Sequence, residues 1–432
     1  MNYIGSKLKL SEFLTSSITG VVGDRLKNMV FCDLFAGTSR VGRTFKPLVN
    51  TVIANDIEHY GFSLGRHYIE NNEIQDISMF LEELNSLELV KGGFIWTHYS
   101  QEGHGERQYF SDYNAAKIDT IRSAINDWYD IEYITEDIYY HLLSSLLEAA
   151  DKVANTASTY GAYLKQLKKS AQEEIFLIES KFDICGKNHK MYNESANDLI
   201  YKISGDVLYL DPPYNQRQYG AYYHILNTIS KAEIFEPKGK TGLPEYSKSA
   251  YCRKNEVKIA FEEIIREAKF EYIFLSYNNE GLMSETEIVD ILSKYGEYSL
   301  VTTQYQRYKA DTSRSHTADF SIEYLHILHK DEFKKESSHT KITKSQLGHS
   351  IKDLFTAEKD PRKMTSFMLK LTINDWKSIF DNQKLPLHIK AHIKKYFKVT
   401  KNKDLINILT TLKDSGYKTP SFEEAFSYLK NI

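Results

Sequence analysis

Short apolar runs that stop at an acid or a turn restrict the fold of this chain more than any other feature. Val30-Phe31-Cys32-Asp33-Leu34-Phe35 leads into Ala36-Gly37-Thr38-Ser39, and a helix is expected from about Arg40. Thr51-Val52-Ile53-Ala54-Asn55-Asp56 ends on a carboxylate, with an amphipathic helix expected to follow as far as about Asn71. Asp206-Val207-Leu208-Tyr209-Leu210-Asp211 halts at Pro212-Pro213, which lack the N–H that a central strand must donate. Tyr272–Tyr277 and Phe320–Leu328 continue the series. Runs of this length alternating with helical segments predict an α/β fold with a largely parallel sheet. Such sheets bind ligands beyond the carboxyl ends of their strands, where the acids stand.

The alternation is interrupted over residues 74–200, where Ile118, Ile121, Ile125 and Trp128, then Leu142, Leu143, Leu146 and Leu147, fall at helical spacing. An inserted helical subdomain is expected there, between catalytic segments 1–73 and 201–330. Residues 331–432 read as a mainly helical extension. The net charge of -3 hides an asymmetry: residues 331–432 carry 20 Lys and Arg against 12 Asp and Glu, leaving 35 against 46 in residues 1–330. A basic extension on an acidic body fits a polyanion partner or a solvated surface. The 31 Tyr and 22 Phe suggest that some rings stack on bases, with half-buried core positions the alternative.

Cys32, Cys185 and Cys252 lie far apart, so neither a disulfide framework nor a metal site is expected, and a reducing cytoplasm fits. No run reaches the ~18 apolar residues that span a bilayer, and the first residues lack a signal-like apolar region, so the chain reads as cytosolic.

The sharpest chemical signal is Asp211-Pro212-Pro213-Tyr214. An exocyclic aromatic amine is a poor nucleophile because its lone pair is delocalised into the ring. The Asp211 carboxylate and the Pro212 carbonyl can accept its two N–H bonds, and Tyr214 offers a face for a base extruded from a duplex. Asn215-Gln216-Arg217-Gln218-Tyr219 and Tyr222-Tyr223-His224 follow as a polar, aromatic cluster. His224 is open to a role near substrate or a place on a helix face. Asp33-Leu34-Phe35-Ala36-Gly37-Thr38 joins a strand-end acid to small residues, a pattern suited to the ammonium of an amino-acid-like cofactor. Its glycines, Gly37 and Gly42, do not match the Gly-x-Gly-x-x-Gly phosphate cradle. Asp56 stands where a carboxylate can hold the two hydroxyls of a ribose.

Together with Asn2-Tyr3-Ile4-Gly5-Ser6-Lys7 and Asn55-Asp56, these motifs resemble the D12 class of N6-adenine DNA methyltransferases, the Dam-like alpha group, over roughly residues 1–330. Ala150-Asp151-Lys152-Val153-Ala154-Asn155, Gly161-Ala162-Tyr163-Leu164-Lys165 and Asn215–Tyr219 are similar to the branch found in restriction–modification systems. The resemblance implies a Rossmann-like methyltransferase sheet with helices on both faces, an inserted helical target-recognition subdomain and S-adenosylmethionine as cofactor. It places cofactor contacts on Tyr3, Gly5, Lys7, Asp33, Phe35, Ala36, Gly37, Thr38, Asp56 and Asp211, and catalysis on Asp211, Pro212, Pro213 and Tyr214. Members often carry Asp-Ala-Asn before the catalytic strand, where this chain has Ser195-Ala196-Asn197. Double-stranded DNA is the implied partner, with a restriction endonuclease as functional counterpart. DNA contacts are expected from Arg107, Tyr109, Lys165, Asn215, Arg217 and Tyr219. Methylation of cytosine N4 or of a protein glutamine would use the same logic, but such enzymes tend to begin the motif with Ser or Asn. A DNA-binding protein with an inactive methyltransferase fold is the remaining alternative.

Overall fold

A computed structural model describes residues 7–73, 75–246, 248–278, 281–306 and 320–333, with a few positions between 410 and 423. The chain divides into two compact units, Met1–Ser337 and Ser338–Ile432. Expectations for the basic extension fall almost wholly outside the described residues, as do those for Tyr3 and Gly5.

The first unit is built on one seven-stranded sheet. Its strands are β1 (Val30–Asp33), β2 (Thr51–Asn55), β3 (Lys190–Tyr192), β4 (Ser204–Leu210), β5 (Lys269–Asn278), β6 (Gly296–Gln306) and β7 (Phe320–Lys330). Their order is β3-β2-β1-β4-β5-β7-β6. The first five pair in parallel, whereas β7 runs antiparallel between β5 and β6. From β1 the chain moves outward to β2 and β3, then returns to β4 on the other side of β1. The topological switch point therefore lies between β1 and β4, where open α/β sheets leave a crevice. With helices on both faces, this is a Rossmann-like methyltransferase fold.

Burial on both faces explains why the central strands read as unbroken apolar runs. Successive side chains enter opposite cores: Phe31, Val207, Tyr209 and Phe274 on one face, Cys32, Leu208, Leu210 and Leu275 on the other. On the first face, α1 (Ser11–Val22) and α2 (Arg40–Phe45) supply Leu14, Ile18, Val41 and Phe45. The other face is covered from later in the chain, by Val257, Phe261 and Ile264 near its middle and Ile288 and Ile291 beyond.

The segment that interrupts the strand series is helical. It contains α4 (Ser78–Ser86), α5 (Phe94–Tyr99), α6 (Asp112–Asp130), α7 (Glu136–Val153) and α8 (Lys169–Gln172). Its core is shared with α3 (His59–Gly65), which precedes it, and α11 (His224–Lys231), which follows the Asp-Pro-Pro-Tyr motif. α9 (Ala196–Leu199) and α10 (Tyr219–Tyr222) lie between, and α12 (Val257–Glu267) and α13 (Glu285–Leu292) complete the helices of the first unit's described residues. Much of the tyrosine surplus is absorbed here: Tyr60, Tyr99, Tyr109, Tyr160 and Tyr223 are fully buried. The Tyr99 hydroxyl donates to the Gly242 carbonyl at 2.6 Å and that of Tyr109 to the Tyr160 carbonyl at 2.7 Å, so burying these rings strands no hydroxyl. No helix among the described residues is long and apolar enough to cross a membrane.

Arg122 on α6 ties this layer to the end of α11. Its Nε donates to the Ile229 carbonyl at 2.7 Å, and its Nη2 donates to the Ser230 carbonyl at 2.9 Å and the Tyr139 hydroxyl at 2.8 Å. A buried cation thereby satisfies the carbonyl end of α11 and complements its dipole. Arg122→Met should destabilise the protein by about 2–4 kcal/mol in urea unfolding, because it strands buried carbonyls. Substituting the 72% exposed Ile131 by Ser should change stability by about 0.5 kcal/mol or less. Equal effects from the two would contradict this account of the α6–α11 link.

Candidate active site

The carboxyl ends of β1, β2 and β4 open onto one cavity of about 480 Å³. Asp33, Phe35, Ala36, Gly37, Thr38, Asp56, Asp211, Pro212, Pro213, Tyr214, Tyr219 and Lys7 line it, so the structure brings together every described residue assigned to cofactor or catalysis. The volume falls within the range usual for sites that take a small-molecule ligand.

The loop after β1 is shaped by its neighbours. Gly37 takes φ 54°, a left-handed conformation that costs glycine little. Its N–H donates to Asp56 Oδ2 at 2.7 Å, while the Ala36 N–H donates to the Asn55 carbonyl at 2.8 Å. Asp56 Oδ1 accepts the Glu58 N–H at 2.8 Å. The helix carrying Gly61 presses so close that a Cβ there would lie 2.8 Å from the Gly37 carbonyl oxygen and 2.9 Å from the Asp56 carboxyl carbon. Asp33 is buried and accepts the Gly42 N–H at 2.9 Å. Asn55 ties the strand ends together: its amide donates to the Leu34 and Glu194 carbonyls and accepts the Glu194 N–H at 3.0 Å.

Three carboxylates share this low-dielectric edge, and each is hard to ionise. Burial lifts Asp33 to about 7 against the hydrogen bond from Gly42, with Asp211 pushing the same way. Burial likewise raises Asp56 to about 7, despite the Glu58 N–H. Asp211 is raised to about 6 by burial, lowered by Lys7 and raised again by Glu323. Such a site attracts a cation, which the ionised carboxylates would welcome in place of water.

Lys7 opens a short 3-10 turn, Lys7–Leu10, and is buried. Its ammonium lies 3.0 Å from Asp211 Oδ1 and 2.9 Å from Glu323 Oε1. Glu323, on β7, is 2% exposed. Tyr214 is held from behind, its carbonyl accepting the Leu282 N–H at 2.8 Å and its ring meeting Tyr277 edge-on with centroids 6.3 Å apart. Phe35 packs edge-on against Tyr251 at 5.0 Å. Ser195 and Asn197 both line the cavity, and the Asn197 amide donates to the Ala260 carbonyl at 2.9 Å and to Glu263 at 2.7 Å. Among the described residues no group of three or more His, Cys, Asp or Glu is arranged to hold a metal ion.

The expected DNA contacts divide. Lys165 and Arg217 are exposed, and the Arg217 N–H donates to Asn215 Oδ1 at 2.9 Å, shaping the turn after the catalytic motif. Tyr109 is corrected: it is fully buried and cannot stack on a base. Arg107 binds the His98 and Gly239 carbonyls at 3.3 and 3.2 Å, bracing a loop. His224 is also turned inward, between Tyr99 and Tyr109, with Nε2 3.2 Å from the Tyr160 carbonyl oxygen. Glu323, Glu58 and Tyr251 were missed from sequence. For Glu323 the available signal was an acid flanked by Ile322, Tyr324 and Leu325 within a strand.

Comparison with known proteins agrees with this geometry. The family model for D12 class N6 adenine-specific DNA methyltransferase matches residues 3–291. The Type II methyltransferase M.NlaIII of Neisseria lactamica is 55% identical over 334 residues, covering 76% of this chain and 99% of that protein. M.FokI of Planomicrobium okeanokoites is 40% identical over 351 residues, covering 77% of this chain and 53% of that protein. M.CviAII of Paramecium bursaria Chlorella virus 1 is 37% identical over 319 residues, covering 72% and 94% respectively. With its cavity at the switch point and Asp-Pro-Pro-Tyr at the end of β4, this chain belongs to the D12 class of N6 adenine-specific DNA methyltransferases.

Proposed function

We propose that the cavity binds S-adenosylmethionine and that Asp211, Pro212 and Tyr214 present the N6 amine of an adenine flipped out of duplex DNA. The observation that carries this reading is the convergence of Asp33, Asp56 and Asp211 on one cavity beside Tyr214. The residues present fit this cofactor. Asp33 suits its α-ammonium, and Asp56 keeps acceptor capacity for ribose hydroxyls beyond the two N–H bonds it already takes. Ala36 and Gly37 leave room for close approach. When bound, S-adenosylmethionine supplies an electrophilic methyl group on a cationic sulfur.

The chain's own contribution is to prepare the amine. Asp211 Oδ1 is engaged by Lys7, which leaves Oδ2 to accept one N6 hydrogen, and the Pro212 carbonyl takes the other. With both N–H bonds held, the nitrogen can pyramidalise and its lone pair leaves conjugation. Tyr214 stacks on the ring and recovers part of the energy lost on unstacking from the duplex. Asp211, raised to about 6, can also take up the proton that the amine must lose.

We assign reading of the DNA sequence to residues 74–200 with the loop 215–255, where Lys165 and Arg217 are exposed, and accessory duplex affinity to residues 331–432. The likeness to Type II enzymes supports a modification role opposite a restriction endonuclease.

Nucleoside analysis of duplex DNA incubated with the protein and labelled S-adenosylmethionine tests the reaction: label should appear in N6-methyladenine, and label in N4-methylcytosine would refute it. Asp211→Ala should lower the methyl-transfer rate by ~10²–10³ or more while cofactor affinity stays within severalfold. A variant keeping a tenth of wild-type activity removes Asp211 from the chemistry. Asp56→Ala should weaken cofactor binding by about 1.5–3 kcal/mol, with turnover at saturating cofactor largely kept. Unchanged affinity by calorimetry would count against the ribose contact.

A further inference from the structure

The Lys7 ammonium is shared between two carboxylates far apart in the chain, Asp211 Oδ1 at the end of β4 at 3.0 Å and Glu323 Oε1 on β7 at 2.9 Å. Glu323 is fixed in turn, since the Ser276 hydroxyl on β5 donates to the same Oε1. Strand register creates the grouping. Leu210 lies opposite Leu275 in parallel pairing, which sets Ser276 beside Asp211, and Glu323 lies opposite Asn278 on the antiparallel neighbour. Lys7 and Glu323 are both nearly sealed from solvent, whereas Asp211 keeps 17% of its side chain open to the cavity.

Burying a lysine beside one carboxylate would form a neutral pair and leave Asp211 a weak acceptor. A second carboxylate changes the balance: the three groups carry one net negative charge, and Asp211 keeps acceptor strength on its free oxygen. We propose that Lys7, clamped by Glu323 and Ser276, is a positioning residue for the reaction, orienting Asp211 and setting how strongly it draws on the target amine. This rests on the reading of Asp211 as the amine's acceptor. It gives Lys7 a role other than contact with the cofactor.

Among the described residues, Asp33 at the end of β1, Tyr209 on β4 and Tyr219 on α10 also act on Asp211. None of them changes in the two variants that test the proposal. Lys7→Gln removes the cation and should make Asp211 harder to ionise. Glu323→Gln removes the competing anion, leaves Lys7 wholly to Asp211 and should make it easier to ionise. In single-turnover methyl transfer at saturating cofactor and duplex, the acidic limb of the rate profile should move to higher pH for Lys7→Gln and to lower pH for Glu323→Gln. Each shift should be about half a pH unit or more. The plateau rate should fall at least about tenfold in both, with cofactor and duplex affinities within about threefold of wild type.

Limbs that stay put, or that move in the same direction, overturn the proposal. If Glu323→Gln does not fold, Lys7→Gln alone decides: an unshifted limb, or a loss confined to cofactor affinity, is contradictory. Asp211→Ala, measured in parallel, separates the layers. If that variant still methylates, the underlying assignment of Asp211 has failed, whatever Lys7 and Glu323 do.

Discussion

The carboxyl edge of the sheet gathers negative charge where water is scarce, and the rest of the molecule is arranged around holding it. Asp33 and Asp56, each raised to about 7, bind protons in the folded state that they would release in an unfolded chain, where carboxylates titrate near 4. These two groups therefore hold more protons in the native state than in the unfolded one between about pH 4 and 7. The contribution of these groups to stability falls as pH rises through that window. A fold that tolerates this cost must recover it elsewhere, in the buried cores on both sheet faces and in the backbone donors at Gly37, Gly42 and Glu58. A bound cation would remove the penalty.

Helix placement follows from the same need. The helical segment between β2 and β3 shares a core with α3 and α11, so the helix that follows the catalytic loop is braced by residues far away in sequence. Arg122 makes that bracing specific by satisfying carbonyls at the end of α11. Asp211-Pro212-Pro213-Tyr214 thus continues directly from β4 of the sheet and is followed by a helix packed on α3 and α7 of the helical layer. Positional tolerance at a reacting centre is small, and this is how the fold meets it.

What could be read in advance were groups whose role is local. A strand that ends in an acid before Ala-Gly or Pro-Pro announces its site, because the turn chemistry and the carboxylate sit within a few residues. The partners of Lys7 were not legible, since Glu323 lies 316 residues away and only strand register brings them together. Tyr109 misled because it stands among polar residues, and its burial depends on the Tyr160 carbonyl, which accepts its hydroxyl. Two strands escaped notice for physical reasons. β3 has only three residues at the sheet edge, and β6 is an edge strand whose polar, threonine-rich sequence lacks the apolar run of a central strand.

The central claim is that a cationic cofactor binds by meeting carboxylates that are partly protonated before it arrives. Isothermal calorimetry of S-adenosylmethionine binding at pH 6.5, repeated in buffers of different ionisation enthalpy, counts the protons exchanged. At that pH the cofactor's own amine, with an ordinary value of about 7.7–8.0, is already charged and exchanges little. The account predicts net release of about one proton at pH 6.5, reduced in Asp33→Asn, with release falling as pH rises and giving way to uptake near pH 8, where about half of the free cofactor's amine is uncharged. Binding that exchanges no protons at pH 6.5, or takes them up, would contradict it.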